Sequence, residues 1–419
     1  MKKHPEIPTE LLYDNFKDYL VEIKRKYGGK TAITTFTRRG EEVAYDFTRL
    51  AEDAEAFAEV LLQNGYEKKH IAIAGENSYH WIVAYLGIVA SGNVAVCIDV
   101  EQSDEIMREM IQEADAALVV TTSDLLSIFR PLAEEQEISF VLMDKSNTFE
   151  TMEEIFAEGR ALLAGENARY PSLTIDPAQV AVIVYTSGTT SASKPVMLTQ
   201  QGVLFNASAG IYLAPEFARG FCSLPFHHAF GMTCAVLGCI VMGYNLCING
   251  DLKTLLRDIE TFQPEAMVGV PLLIETFHKI IWAEIEKTGK KGLIEFLIRA
   301  GKVFGNPKLF MPKKVTDAIR KSPIGSIRLI LSGGAHIHKS IPEDLYAFGI
   351  LVLSGYGITE CSPVVSAGLP EAVNFASVGH VLPRHAVKFI EGEIYVQGPS
   401  LMKGYYKQEA LTEETLVDG

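Results

Sequence analysis

Short apolar runs rich in β-branched residues recur along the chain with helix-spaced patterns between them, and this alternation leaves few folds open. Residues 71–74, 94–98, 117–120, 140–143, 180–184, 244–248, 266–270, 327–331 and 350–353 read as strands. Between them, residues 47–64 place Leu50, Ala54, Phe57 and Leu61 at helical spacing ahead of Gly65, a helix stop, and residues 81–90 form another helical stretch. Ser103 is a cap for the helix that follows it. The expectation is an α/β protein with ligand sites beyond the carboxyl ends of its strands. After about residue 375 the texture changes. Val387-Lys388-Phe389-Ile390 and Glu393-Ile394-Tyr395-Val396 alternate on either side of Glu391-Gly392, which predicts a small antiparallel β unit.

The bulk numbers narrow the function. At 419 residues, 48% apolar and 21% charged, this is the composition of a globular protein of roughly two to three domains. A net charge of -14 argues against nucleic acid or an anionic membrane as the main partner. Cys97, Cys222, Cys234, Cys239, Cys247 and Cys361 form no CxxC pair and mostly lie in apolar surroundings, which fits buried thiols in a reducing compartment. Met1-Lys2-Lys3-His4-Pro5-Glu6 leads into no apolar signal core, so the cytoplasm is the expected location. Residues 231–248 are uncharged and mildly apolar, but Thr233, Tyr244, Asn245 and the glycines favour a buried helix followed by a strand over a membrane span.

Four segments carry chemistry. The run at 180–184 leads into Tyr185-Thr186-Ser187-Gly188-Thr189-Thr190-Ser191-Ala192-Ser193-Lys194. Hydroxyls and backbone N–H groups can surround phosphate oxygens, Gly188 allows close backbone approach, and Lys194 adds a mobile charge. The Gly-Lys-Ser/Thr ending of a Walker loop is missing, and a solvated Ser/Thr loop is the plain alternative. Residues 327–331 lead into Ser332-Gly333-Gly334-Ala335, a turn small enough for a flat ring to lie on its backbone, or simply a structural turn. Residues 350–353 lead into Ser354-Gly355-Tyr356-Gly357-Ile358-Thr359-Glu360. There a Tyr can stack on a base, a Thr can donate to phosphate and a Glu can hold Mg²⁺, although each taken singly also fits a surface role. Leu224-Pro225-Phe226-His227-His228-Ala229-Phe230-Gly231 offers two histidines for which the sequence reveals no third metal ligand.

Together with Gly269-Val270-Pro271, Ser377-Val378-Gly379 and the run from Gly392-Glu393-Ile394 through Gly398-Pro399 to Gly404-Tyr405-Tyr406, these segments stand in an order that resembles the adenylate-forming superfamily. That group comprises acyl- and aryl-CoA synthetases, nonribosomal-peptide adenylation domains and firefly luciferase. The resemblance implies their large N-terminal domain: two helix-flanked β-sheet subdomains, about 1–205 and 206–355, and a small β-barrel-like subdomain, about 356–419. It implies ATP, Mg²⁺ and coenzyme A as co-substrate. A carboxylate attacks the α-phosphorus of ATP to give acyl-adenylate and pyrophosphate, and a thiol then takes the acyl group. Model carboxyl pKa values are ~4, so the nucleophile is already ionised and the first step needs positive charge and positioning rather than a base.

By the same resemblance, Thr186, Ser187, Gly188, Thr189, Thr190 and Lys194 embrace the β- and γ-phosphates. Gly334 and Ala335 line the adenine, Tyr356 stacks on it, and Gly357 belongs to the same nucleotide site. Thr359 touches the α-phosphate and Glu360 holds Mg²⁺. His228 lies beside the carboxylate and the thiol tunnel, while Val270, Gly333 and Gly355 border the acyl pocket. His228, Thr359 and Glu360 are the implied catalytic set. The stretch from Gly355 to Ser366 and the paired histidines look most like long-chain fatty acyl-CoA synthetases.

The chain departs from the pattern in two places. Ser191, Ser193 and Pro195 stand where the family usually has Gly, Pro and Gly, and Gln200 stands where it commonly has His. A Cβ at Ser191 and a fixed φ at Pro195 are expected to stiffen the loop. Past a segment like residues 411–419 the family continues into a ribose-binding Asp, a hinge and a small domain with the catalytic Lys, so these 419 residues alone are expected to adenylate poorly. Two alternatives remain open: an aryl-acid, medium-chain or acyl-carrier-protein ligase, and a nucleotide-binding module without catalysis.

Overall fold

The computed structural model describes residues 5–37, 39–136, 138–146, 148–186 and 193–417, without the side chains of 133–136. Two large sheets with helices packed on them make up the α/β architecture. One has nine strands in the order His380–Val381, Val364–Ala367, Leu351–Gly357, Leu329–Ser332, Ala266–Gly269, Arg219–Cys222, Asn245–Ile248, Thr31–Phe36 and Glu42–Asp46. Its six central strands, from Leu351–Gly357 to Thr31–Phe36, are mutually parallel, and antiparallel strands close both edges. The other has seven, in the order Gly404–Tyr405, Lys194–Thr199, Val180–Thr186, Val94–Cys97, His70–Ala74, Ala116–Thr121 and Ser139–Leu142. The last five are parallel and buried, as their unbroken apolar runs require.

All nine expected strands are present. Arg219–Cys222, Lys194–Thr199, Thr31–Phe36 and Glu42–Asp46 are additional, the last three more polar or shorter of pattern than a buried parallel strand. Glu391 (φ 51) and Gly392 (φ 91) turn the hairpin Ala386–Ile390/Glu393–Gln397 in the way a two-residue connection demands. That hairpin stands alone as a two-stranded sheet, while Val364–Ala367 and His380–Val381 extend the nine-stranded one. The expected barrel-like unit is therefore corrected: no closed barrel forms among the described residues, because its would-be strands are shared between sheets.

The helix Phe47–Gln63 begins where the Asp46 side chain accepts from the Arg49 N–H at 2.7 Å, and Gly65 (φ 78) follows its end. Leu50, Ala54, Phe57 and Leu61 are buried as their spacing predicts, each such Leu or Phe contributing ~1.5–3 kcal/mol. Residues 231–248 fold inward as expected of a buried helix and strand. The helix opens with π geometry at Phe230–Leu237, continues as Gly238–Val241, and leads to the strand Asn245–Ile248. Among the described residues, no helix is long and apolar enough to cross a membrane.

Candidate active site

The strands Val180–Thr186 of the smaller sheet, and Arg219–Cys222, Ala266–Gly269, Leu329–Ser332 and Leu351–Gly357 of the larger, deliver the singled-out segments at or just past their carboxyl ends. Thr186 ends its strand and Lys194 opens the next, and the two are register partners. The Lys194 N–H donates to Thr186 Oγ1 at 3.3 Å, so a hydroxyl and an ammonium sit at the base of one hairpin. Ser187, Gly188, Thr189, Thr190 and Ser191 lie outside the described residues. Pro195 is no loop hinge. It lies within the strand opposite Tyr185, and its carbonyl accepts from the Tyr406 N–H at 2.8 Å. Gln200 is a buried structural residue that accepts from the Phe16 N–H at 3.0 Å and donates to the Val89 carbonyl at 2.9 Å.

Lys194 Nζ lies 5.4 Å from the centroid of the Tyr405 ring, and the Tyr405 hydroxyl donates to Glu360 Oε1 at 2.8 Å. These contacts bring Lys194 and the carboxylate after Leu351–Gly357 to the same tyrosine. Burial first, and then the hydrogen bond to Glu360, pushes the Tyr405 phenol up to about 12, so it stays a donor at neutral pH. Glu360 and Thr359 belong to a single 3₁₀ turn pinned from below. Fully buried Asn206 donates to the carbonyls of Cys361 (3.0 Å) and Val364 (2.8 Å) and accepts from the Val364 N–H (3.0 Å).

Tyr356 and Gly357 are not loop residues, since the strand runs on through them and pairs with Ser366 and Val364. Gly357 is glycine for a local reason: a Cβ there would stand 2.1 Å from the Pro363 carbonyl oxygen. Gly333 meets the Phe230 ring, 2.8 Å from where its Cβ would be, and Gly334 (φ 82) lies against Val270, whose Cγ1 is 3.5 Å from the equivalent position. So the glycine turn, Val270 and the histidine segment converge. Ala335 follows that turn exposed to solvent. Gly355 would place a Cβ 3.0 Å from the Ser366 carbonyl oxygen, so its lack of a side chain answers the neighbouring strand as well as any ligand.

The histidine segment is held by Asn77, which donates to the Leu224 carbonyl at 2.7 Å and accepts from the Phe226 N–H at 2.9 Å. His227 and His228 meet edge to face with centroids 4.3 Å apart. Asp99, just past the strand Val94–Cys97, comes within 3.2 Å of His227 Nε2. That nitrogen is buried without an aligned hydrogen-bond partner among the described residues. Burial opposes charge on Asp99, but its contacts with His227 and Gln102 outweigh that and hold its carboxyl well below the usual range. Burial, reinforced by the neighbouring His227, lowers the His228 pKa against the pull of Asp99. His228 is therefore neutral at pH 7.

A profile of AMP-binding enzymes matches residues 21–406. The chain belongs to the AMP-binding enzyme family. It is 28% identical to long chain acyl-CoA synthetase 7, peroxisomal, of Arabidopsis thaliana, the match covering 99% of this chain and 64% of that protein. It is 26% identical to the long-chain-fatty-acid–[acyl-carrier-protein] ligase AEE15, chloroplastic, of the same plant, covering 93% and 63%. With the long-chain-fatty-acid–CoA ligase of Salmonella typhimurium it shares 24%, covering 100% and 76%. The chain thus spans just under two thirds of the plant relatives. Among solved structures, the anthranilate CoA ligase AuaEII in complex with anthranoyl-AMP superposes with a TM-score of 0.75 at 15% identity, covering 96% of this chain and 72% of that one. MatB from Rhodopseudomonas palustris does so at 0.72 and 20%, covering 97% and 74%. These structures share the fold.

AMP-binding enzymes imply a divalent cation, and the donor set suits Mg²⁺. Glu360 Oε2 has no hydrogen-bond partner among the described residues, and Mg²⁺ needs only one or two carboxylates beside phosphates and water. Asp99, His227 and His228 form a second group whose ligand atoms lie within 4.8 Å of one another, which supplies the third ligand the sequence did not reveal. Asp99, Asn77, Asn206 and Tyr405 escaped the sequence reading. Tyr405 alone left a signal there, as part of Gly404-Tyr405-Tyr406.

Proposed function

We propose that this chain carries the nucleotide- and acid-binding part of an ATP-dependent acid–thiol ligase. A fatty acid carboxylate attacks the α-phosphorus of ATP, the P–O bond to the β-phosphate breaks, and acyl-adenylate and pyrophosphate result. The adenylate's acyl carbon is then taken by the thiol of coenzyme A, releasing AMP. The observation that carries this reading is the contact chain Lys194–Tyr405–Glu360, in which the ammonium lies over the Tyr405 ring and the ring's hydroxyl donates to one oxygen of the carboxylate.

In this reading Thr186, Lys194 and the intervening loop hold the β- and γ-phosphates, and Thr359 donates to the α-phosphate. Glu360 holds Mg²⁺, which when bound supplies charge neutralisation at the phosphates. Gly334, Ala335, Tyr356 and Gly357 receive the adenine ring. Neutral His228 faces the carboxylate and the thiol path, where it can donate or accept one hydrogen bond without adding charge. Val270, Gly333 and Gly355 border the acyl pocket. A carrier-protein thiol as acceptor is the second reading, favoured by the relative named as an acyl-carrier-protein ligase.

Calorimetry with ATP·Mg²⁺ and a fatty acyl-adenylate analogue tests the binding half, with saturable 1:1 binding of both expected. Acid-dependent pyrophosphate release across a panel of fatty and aryl acids tests the substrate class. Failure of the unaltered chain to bind either ligand would favour a scaffold without catalysis.

A further inference from the structure

Gly404-Tyr405-Tyr406 is a matched segment to which no binding role falls, yet Tyr405 contacts both charged groups of the phosphate subsite. Its hydroxyl donates to Glu360 Oε1 at 2.8 Å, and its ring lies 5.4 Å from Lys194 Nζ. The residue is 4% exposed and its backbone is fixed on every side. Gly404 and Tyr405 pair with Met197 and Val196, the Tyr405 N–H donates to Thr412 Oγ1 at 2.9 Å, and the Tyr406 N–H donates to the Pro195 carbonyl at 2.8 Å. The Met402 N–H donates to the Glu360 carbonyl at 2.7 Å, so the same segment also grips the backbone of the carboxylate it orients. Here a strand paired to the smaller sheet sets a side chain that follows a strand of the larger one.

A carboxylate oxygen that already accepts a phenol hydrogen is a poorer cation ligand than its free twin. We propose that Tyr405 is a positioning residue. It ties down Glu360 Oε1, presents Oε2 as the single cation-binding oxygen, and gives Lys194 a resting place on its ring from which the ammonium can move to phosphate. The idea rests on the nucleotide-site reading and assigns the geometry of that subsite to a residue touching neither nucleotide nor cation.

The test is Mn²⁺ affinity in the presence of ATP, read by the electron paramagnetic resonance of free Mn²⁺, with ATP affinity in EDTA measured in parallel. Tyr405→Phe keeps the ring and removes only the donor. It is expected to weaken Mn²⁺ binding about tenfold, the worth of a hydrogen bond to a charged group, and to leave metal-free ATP affinity within about twofold. In a Glu360→Gln background the same change should have no further effect on Mn²⁺. p-Aminophenylalanine at position 405 keeps ring and donor and should bind Mn²⁺ within about twofold of the unaltered chain, an arm that holds whether or not Tyr405→Phe folds. Unchanged Mn²⁺ affinity in Tyr405→Phe, or loss in the p-aminophenylalanine form, overturns the proposal alone. Failure of the unaltered chain to bind ATP removes the nucleotide-site reading, and this inference with it.

Discussion

Lys194 has no carboxylate within ion-pair distance among the described residues; its partner is the face of Tyr405, a contact worth ~0.5–1 kcal/mol where exposed. A phosphate would outbid that contact easily, so Lys194→Ala should cost little stability and much affinity. We expect ATP to bind some tenfold to a hundredfold more weakly, matching ~1.5–3 kcal/mol for a charged hydrogen bond, with the melting temperature nearly unchanged. Calorimetry and a thermal melt on the same variant check both halves. Lys194 was legible in the sequence because charge after a hydroxyl-rich turn is a local pattern. Asp99 was not, because its partner His227 is far away in sequence and follows a strand of the other sheet.

Asp99 also makes a pH prediction. Its folded pKa is depressed, so its contribution to stability is present above the unfolded value, about 3.8, and is lost as pH falls through and below it. His228 works in the same direction from a higher start. Its folded pKa lies below the unfolded ~6.5, so acidification from 6.5 downward favours the unfolded chain. Asp99→Asn should be less stable than the unaltered chain at pH 7, and the gap should begin to narrow below about pH 4 and go on shrinking as pH falls toward the depressed folded value. Denaturant midpoints between pH 3 and 7 measure this, and a gap that stays constant would show that Asp99 is not held in its charged form.

At the scale of elements, periodicity revealed the outer face of each helix's role and missed what is tucked within it. The helix Phe47–Gln63 shows its apolar stripe in sequence, yet it also buries Asp53 and Glu59. Asp53 accepts from Arg160 (2.6 Å) and Tyr79 (2.8 Å), and Glu59 accepts from the backbone N–H groups of Arg169 and Tyr170. Polar residues buried against distant partners break the pattern from which burial is read. The helix Met152–Leu163 approaches the same helix so closely at Gly159 that a Cβ would stand 2.1 Å from the Ala56 carbonyl oxygen. Gly159→Ala should therefore destabilise by ~1–3 kcal/mol through overpacking, against the gain alanine usually brings to a helix. Asn206→Leu should cost about as much, ~3 kcal/mol, by leaving the Cys361 and Val364 carbonyls and the Val364 N–H unpaired. Unlike Gly159→Ala, it should also weaken ATP·Mg²⁺ binding, since it releases the turn bearing Glu360; urea midpoints and calorimetry separate the two.

Over the whole molecule, the fold class was readable because parallel buried strands announce themselves as apolar runs, whereas sheet order and the sharing of edge strands are settled by contacts far apart in sequence. Gly404–Tyr405 shows why this matters: two residues, too short for any pattern, complete the smaller sheet and bring Tyr405 to Glu360. The proposed nucleotide would touch groups borne by both sheets, Thr186 and Lys194 on one and Gly334, Tyr356 and Glu360 on the other. A ligand that bridges them stabilises the folded chain as a unit, by ~2.7 kcal/mol at a hundredfold excess over its Kd. ATP·Mg²⁺ should therefore raise one cooperative transition rather than part of a split melt. Glu360→Gln should retain the shift produced by ATP alone and lose the increment that Mg²⁺ adds. Calorimetric melts of both proteins with ATP, with and without Mg²⁺, make the comparison. An Mg²⁺ increment that survives in Glu360→Gln would move the cation away from the strand end where Tyr405 and Lys194 meet.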